Sequence, residues 1–228
     1  MPAYRLNSKG AEIQRYDAIG SDSSAKPRFV THAALALDDT SGAVCGATLP
    51  VAHMKPPHVP HGRAKAHVFG TVPLTVDEQK IVSLFIEEVE EEREAGEKRS
   101  QRSGLFQYTV HPHCEEVTES DGTPIYRRFS CVGYVLGAYG EAGVKPLDTE
   151  PENLPEVEEA SMKMAYPELY QHLHRRPNAR QGLSCVGLDG TGPWRVVLPG
   201  YLFHAMNRPQ AEIRSAPYQA VEGNEVFP

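Results

Sequence analysis

Hydrophobic and polar positions alternate along the chain with two different periods. The most regular helical pattern follows Thr75, a typical N-cap residue, and Glu78 lies three residues later, which completes a capping box. Apolar residues then recur at the spacing of an amphipathic helix, so the pattern predicts a helix to about residue 95. Its predicted buried face is formed by Ile81, Leu84, Phe85 and Val89.

A second helix is predicted after Ser130, which is also a good N-cap residue. Gly143 provides a C-terminal stop, and Cys131 would be the first helical residue. Free N–H groups and the helix dipole favour an anion at that position, so we expect a thiol with a lowered pKa. Taken alone, a cysteine in an apolar helix is also typical of a buried core residue. The apolar face comprises Val132, Val135, Leu136 and Tyr139.

Three glycines lie close together on the surface of this helix: Gly133, Gly137 and Gly140. Interior glycine destabilises a helix by roughly 0.5–1 kcal/mol relative to alanine. The pattern therefore predicts that another segment packs closely against this face.

Strand-like patterns occur on both sides of these helices. Residues 28–37 are apolar almost throughout and precede a turn, which predicts a buried strand with His32 near its start. Residues 43–49 are the expected returning strand of a hairpin. Further strands are expected at residues 67–72, 183–188 and 194–198.

The pattern divides the chain into one main domain and two ends. We expect a polar N-terminal extension over residues 1–26, a main domain over 27–210 and a weakly ordered tail over 211–228. An acidic helical insertion, residues 146–176, would form a surface subdomain with short helices at 156–164 and 167–175.

Composition narrows the class of protein. The chain has 228 residues and a net charge of −7, which argues against a general nucleic-acid-binding protein. The acidic run 87–94 is typical of a solvated helix face, and a protein partner at this helix is the alternative. No apolar run is long enough to cross a bilayer and no signal-type segment is evident, so we expect a cytoplasmic protein. Four widely spaced cysteines favour reduced thiols.

The Cys131 helix resembles the nucleophile helix of the NlpC-type papain-like cysteine hydrolases. Residues 31–37 likewise resemble the histidine strand of that family, and residues 72–79 resemble the segment that links the two elements. Here the histidine precedes the cysteine, as in the circularly permuted branch that includes the YiiX-like and lecithin:retinol acyltransferase-like proteins. The matching helix positions are Cys131, Gly133, Tyr134, Val135, Tyr139, Ala142 and Gly143.

This resemblance implies an α+β, papain-like fold in which an antiparallel sheet packs against the nucleophile-bearing helix. Cys131 would be the nucleophile and His32 the general base and acid, with the Cys131 N–H in the oxyanion hole. The family also orients the imidazole with a third polar residue on a later strand. Residues 43–49 offer only Cys45 and Thr48, so His53 and His67 are the candidates.

The implied activity is that of a thiol hydrolase or acyltransferase acting on a peptide, amide or acyl ester. It proceeds through an acyl-enzyme intermediate and requires neither a cofactor nor a metal.

Two other classes of function remain open at this point. A zinc protein would use the cluster at His111, His113 and Cys114 or the pair His172 and His174, although no spacing completes a set of four ligands. A non-catalytic binding or adaptor protein could keep the same scaffold. The reactivity of Cys131 discriminates between these alternatives.

Overall fold

The computed structural model describes residues 4–5, 10–23, 26–55, 61–100, 107–174 and 179–226. It has a mixed α+β architecture, in which helices pack on an antiparallel sheet of six strands. The strands are β1 (Tyr4–Arg5), β2 (Ala11–Ile13), β3 (Ala18–Asp22), β4 (Val30–Ala36), β5 (Thr40–Ala43), β6 (Ala47–Ala52), β7 (His61–Ala66), β8 (Val68–Gly70), β9 (Cys114–Thr118), β10 (Pro124–Phe129), β11 (Glu156–Val157) and β12 (Trp194–Arg195).

The strand order of the main sheet is β1-β8-β3-β4-β6-β7, and the pairs β10-β9, β11-β12 and β2-β5 form separate ribbons. The helices are α1 (Val76–Ser100), α2 (Cys131–Glu141), α3 (Glu159–Ala165), α4 (Pro167–His174), α5 (Ala179–Ser184), α6 (Pro199–Met206) and α7 (Gln210–Ser215). None of the helices within the described ranges combines the length and apolar character needed to span a membrane.

Strand β4 lies inside the sheet, and both of its faces are covered. Ala33 and Leu35 belong to the main core that also contains α2, whereas Ala34 and Ala36 belong to a smaller core on the other face. Burial on both faces explains why this segment is apolar almost throughout.

The partner of β4 differs from the expected hairpin strand at residues 43–49. Strand β5 pairs with β2, and the returning strand is β6, which pairs with β4 through Leu35↔Ala52 and Ala36↔Val51. Gly46, with φ of +81°, precedes β6 and allows the chain to change direction there.

Both ends of the chain contribute to the fold. Strand β3 lies within the expected N-terminal extension, yet it sits between β8 and β4, so the boundary at residue 26 does not coincide with an edge of the sheet. In the expected tail, helix α7 buries Ile213, and the Asp148 N–H donates to the Tyr218 carbonyl over 2.8 Å. The C-terminal segment is therefore packed against the start of the insertion.

Helix α1 has the predicted capping box, because the Thr75 N–H donates to Glu78 and the Glu78 N–H donates to Thr75. Its buried face is rotated from the prediction, since Ile81 and Leu84 are 38% and 56% exposed. The residues that pack into the core are Val82, Phe85, Ile86 and Val89.

The acidic run on α1 is not purely a solvated face. Glu92 accepts hydrogen bonds from the main-chain N–H and the Nε of Arg127 on β10, each over 2.8 Å. This pair holds the β9-β10 ribbon against α1.

The insertion packs into the main core and does not form a surface subdomain. Met162, Ala165 and Leu169 are almost fully buried in the core cluster that also contains Cys131. Its two predicted helices correspond to α3 and α4. The expected strand at residues 183–188 is wrong, because α5 and a turn occupy that segment.

Candidate active site

The first turn of α2 brings Cys131 against the histidine strand. Ser130 caps the helix as predicted, with its Oγ accepting the Gly133 N–H over 2.9 Å. The main-chain N–H groups of Ala33 and Val132 lie close to the Cys131 thiol and favour its charged form. Ala33 directly follows His32 in β4, so the structure places the thiol beside the strand position next to the histidine.

Close packing against the glycine face fixes the position of this helix end. A side-chain carbon on Gly133 would overlap the main-chain carbonyl of His113, and the Ser130 N–H donates to that carbonyl over 3.0 Å. At Gly137 the same carbon would lie 3.0 Å from the Phe85 ring, whereas Gly140 faces open space. The expectation of close packing is thus confirmed at two of the three glycines.

The His32 ring is held by a second histidine. Its Nε2 lies 2.7 Å from Nδ1 of His53, and the rings meet edge-on with centroids 4.8 Å apart. His53 follows β6 directly and is 3% exposed. Nε2 of His32 takes part in this hydrogen bond, and Nδ1 is its second ring nitrogen. Of the two candidates for the orienting residue, His53 contacts His32, while His67 accepts the Asp22 N–H over 3.0 Å.

Both rings of this pair are neutral near pH 7. Burial, followed by the charges of His53 and Lys55, holds the pKa of His32 well below its usual value. Burial and the charge of Lys55 lower the pKa of His53 to about 4. A neutral imidazole has one free lone pair, so His32 is in the form that accepts a proton.

Tyr108 is a site residue that the sequence did not predict. Its hydroxyl lies close to the main-chain N–H and the thiol of Cys131. A bridge between Tyr108 and Phe129 holds it in place, and the Thr109 N–H donates to the Phe129 carbonyl over 3.1 Å. Burial raises the pKa of Tyr108 well above its usual value, so the hydroxyl remains a neutral donor.

A second tyrosine reaches the site from the insertion. Tyr166 follows α3, is 2% exposed and lies close to the Ser130 side chain. Its own hydroxyl donates to the Val197 carbonyl over 2.7 Å. No local pattern around Tyr166 indicates this role, because its partners lie more than thirty residues away along the chain.

The expected lowering of the Cys131 pKa is wrong for the arrangement seen here. Cys131 is 1% exposed, and burial raises the pKa of its thiol to about 12. The N–H groups of Ala33 and Val132 and the hydroxyl of Tyr108 act in the opposite direction but do not offset the loss of solvent. The thiol is therefore protonated at neutral pH, and it must transfer its proton to react as a nucleophile.

An ion pair lies on the exposed side of this cluster. Lys55 Nζ and Glu168 Oε1 are 3.1 Å apart, and their side chains are 40% and 56% exposed. Lys55 lowers the pKa of both histidines, and Glu168 raises that of Cys131.

The histidine-rich segments do not form a metal centre within the described part of the chain, where no three His, Cys, Asp or Glu side chains are grouped as ligands. His113 instead supports α2 through its carbonyl, and Cys114 is exposed at the start of β9.

Comparisons with known proteins found no match, so the assignment of the candidate site rests on the geometry described above. No family model matches the chain, and neither a curated protein nor a solved structure is similar to it.

Proposed function

We propose that the protein is a thiol hydrolase or acyltransferase of the circularly permuted papain-like type, with Cys131 as nucleophile and His32 as general base and acid. One observation carries the proposal. The Cys131 thiol at a helix N-terminus meets the N–H of Ala33, the residue after a histidine whose Nε2 is bonded to His53. The proposal assigns the acceptance of the thiol proton to the second ring nitrogen of His32, Nδ1, and the orienting role to His53.

The reaction begins with transfer of the thiol proton to His32 Nδ1. The thiolate attacks the carbonyl carbon of a peptide, amide or acyl ester, and the negative charge moves to the carbonyl oxygen. In this proposal the Cys131 N–H and the Tyr108 hydroxyl are the donors for that oxygen, because the two groups lie close to each other at the first turn of α2.

Collapse of the tetrahedral intermediate completes the first half of the reaction. The C–N or C–O bond breaks, protonated His32 gives its proton to the leaving group, and a thioester remains on Cys131. Water or another acceptor then attacks the thioester with His32 as base, which restores the free thiol. His53 accepts the Nε2–H of His32 throughout and keeps Nδ1 available.

The test is the pH dependence of Cys131 alkylation by iodoacetamide, followed by mass spectrometry. We expect His32→Ala to lower the alkylation rate of Cys131 at pH 7 at least tenfold, because the variant lacks the imidazole that accepts the thiol proton. Cys45, Cys114 and Cys185 are exposed and serve as internal controls, whose rates should not change. Equal rates and midpoints in the two proteins would contradict the proposal.

The complete burial of Cys131 favours one alternative, a binding or adaptor protein in which this cysteine is a core residue. The same measurement separates the two functions. A binding protein should show no alkylation of Cys131 until it unfolds, with or without His32.

A further inference from the structure

The helical insertion covers the candidate site. Cys131 is 1% exposed, so the carbonyl group of a substrate cannot reach its sulfur until the side chains around it move. Helix α3 packs on β4, the strand that carries His32. Met162, Ala165 and Leu169 of the insertion belong to the same buried cluster as Cys131. Helices α3 and α4 therefore form one wall of the enclosure around the thiol.

One side of this wall is fixed to the segment at residues 194–197. Strand β11, which precedes α3, pairs with β12 through Val157↔Trp194. Tyr166, between α3 and α4, donates to the Val197 carbonyl over 2.7 Å. Both contacts are buried at the insertion, so they are suited to act as a permanent attachment.

A second attachment joins α4 to the histidine segment through charge. Glu168 lies in the first turn of α4, and its Oε1 is 3.1 Å from Nζ of Lys55. Lys55 directly follows His53 and Met54, which are both buried, so its main chain is held beside the histidine pair. The two charged side chains are exposed, and an exposed ion pair stabilises a contact only weakly. This attachment is therefore the one that separates most readily.

We propose that α3 and α4 form a lid over the candidate active site and that the Lys55–Glu168 ion pair is the latch that holds the lid closed. This inference rests on the proposed function, because the opening serves a reaction at Cys131. When the ion pair separates, α4 moves away from the His53 segment and the thiol becomes accessible to substrate. Burial of Cys131 and reactivity of Cys131 then belong to two arrangements of the same molecule.

The test measures alkylation of Cys131 by iodoacetamide at pH 7 and low ionic strength in Lys55→Met and in Glu168→Gln. Each variant lacks one charge of the latch, so a larger fraction of the molecules is open. We expect each to raise the alkylation rate about two- to fivefold, the effect of losing an exposed ion pair. Three exposed cysteines report the reactivity of the reagent and should not change: Cys45, Cys114 and Cys185.

The direction of the two changes separates a lid from a direct effect of charge on the thiol. Removal of the negative Glu168 favours the thiolate of Cys131, whereas removal of the positive Lys55 disfavours it. A direct effect therefore speeds alkylation in Glu168→Gln and slows it in Lys55→Met. An opened lid speeds alkylation in both variants. Changes of opposite sign would overturn the proposal.

Glu159→Gln is the matched control for loss of charge in the insertion. Glu159 and Lys163 form an ion pair over 2.8 Å, but both residues lie on α3, so their pair does not join the lid to another segment. We expect the alkylation rate of Cys131 to be unchanged in this variant. Equal acceleration in Glu159→Gln and Glu168→Gln would show that any loss of charge loosens the insertion, and the latch would be overturned.

Salt tests the latch without changing the wild-type sequence. Raising the NaCl concentration from about 50 mM to about 1 M screens an exposed ion pair, so alkylation of wild-type Cys131 should become about two- to fivefold faster. Glu168→Gln should show no such increase. The exchanged pair Lys55→Glu/Glu168→Lys restores the attraction and should return the rate to the wild-type value. A salt effect of equal size in wild type and Glu168→Gln would overturn the proposal.

His32→Ala keeps the lid and the proposed function apart. If His32→Ala lowers the alkylation rate of Cys131 and neither latch variant raises it, the lid fails and the proposed function stands. If both latch variants raise the rate and His32→Ala has no effect, the insertion covers a thiol that does not act as a nucleophile. The latch then stands and the proposed function fails.

Discussion

At the scale of single residues, the proposed reaction requires one particular tautomer of each ring in the His32–His53 pair. If His32 is to accept a proton at Nδ1, its resting proton must be on Nε2, which donates to Nδ1 of His53. His53 is then protonated on its own Nε2. In the proposed reaction, the neutral ring of His53 has the orienting role that a carboxylate often has, and it accepts the same hydrogen bond without adding a buried charge.

His53→Ala should lower the alkylation rate of Cys131 at pH 7 tenfold or more, because the His32 ring loses the bond that fixes its tautomer and orientation. His53→Asn supplies an amide oxygen as a new acceptor, so we expect it to retain more of the rate. His67→Ala is the matched control, since His67 contacts Asp22 and should leave the rate unchanged. An equal loss in His53→Ala and His67→Ala would contradict the orienting role.

Local patterns were enough to select Cys131 and His32 as candidates, because a capped helix and a buried strand are recognised from adjacent residues. The surroundings of the thiol were not predictable in this way. Tyr108 reaches Cys131 through a bridge to Phe129, and Tyr166 arrives from an insertion that looked peripheral. The raised pKa of Cys131 follows from this enclosure and from no feature of its helix.

At the scale of elements, the glycines of α2 offer a matched pair of substitutions. Gly133→Ala should destabilise the protein by about 3 kcal/mol, because the added methyl group overlaps the His113 carbonyl. Gly140→Ala meets nothing within 4 Å and should stabilise it by about 0.5–1 kcal/mol. Urea unfolding at one pH measures both effects. Similar changes at the two positions would show that close packing does not explain the glycines.

The capping residues Thr75 and Ser130 correctly predicted where α1 and α2 begin, because each capping hydrogen bond joins residues only three positions apart in the sequence. The face that a helix buries was less certain. On α1 two apolar stripes lie side by side, and the β10 ribbon and α2 select the one with Val82 and Ile86 over the one with Ile81 and Leu84. Strand partners were predicted least well, because the pairing of β3 and β6 with β4 depends on contacts across the whole sheet.

At the scale of the whole molecule, buried ionisable groups make stability depend on pH in two directions. Asp17, 2% exposed, accepts hydrogen bonds from the Gln14 N–H over 2.9 Å and the Thr71 hydroxyl over 3.1 Å. Burial nevertheless raises its pKa to about 7. The buried histidines act oppositely, since their lowered pKa values make the folded state lose stability as the pH falls below about 6.5.

Asp17→Asn isolates the contribution of the carboxyl group. The folded state binds the Asp17 proton more tightly than the unfolded state, whose value is near 3.8. The stability from this group is therefore fully present below that value and is lost as the pH rises through about 7. Between pH 5 and 8, we expect the free energy of unfolding of Asp17→Asn to rise by about 2–3 kcal/mol relative to wild type.

Urea midpoints measured at pH 5, 6, 7 and 8 give this difference at each pH, and the histidine contributions cancel because both proteins contain them. Asp38→Asn removes an exposed carboxylate and controls for the change in net charge. If Asp17→Asn and wild type differ by a constant amount across this range, Asp17 is ionised in the folded protein throughout. The turn between β2 and β3 would then tolerate a buried charge. This turn is linked to α2 because the Tyr139 hydroxyl donates to the Tyr16 carbonyl over 2.7 Å, and that link would not depend on a neutral Asp17.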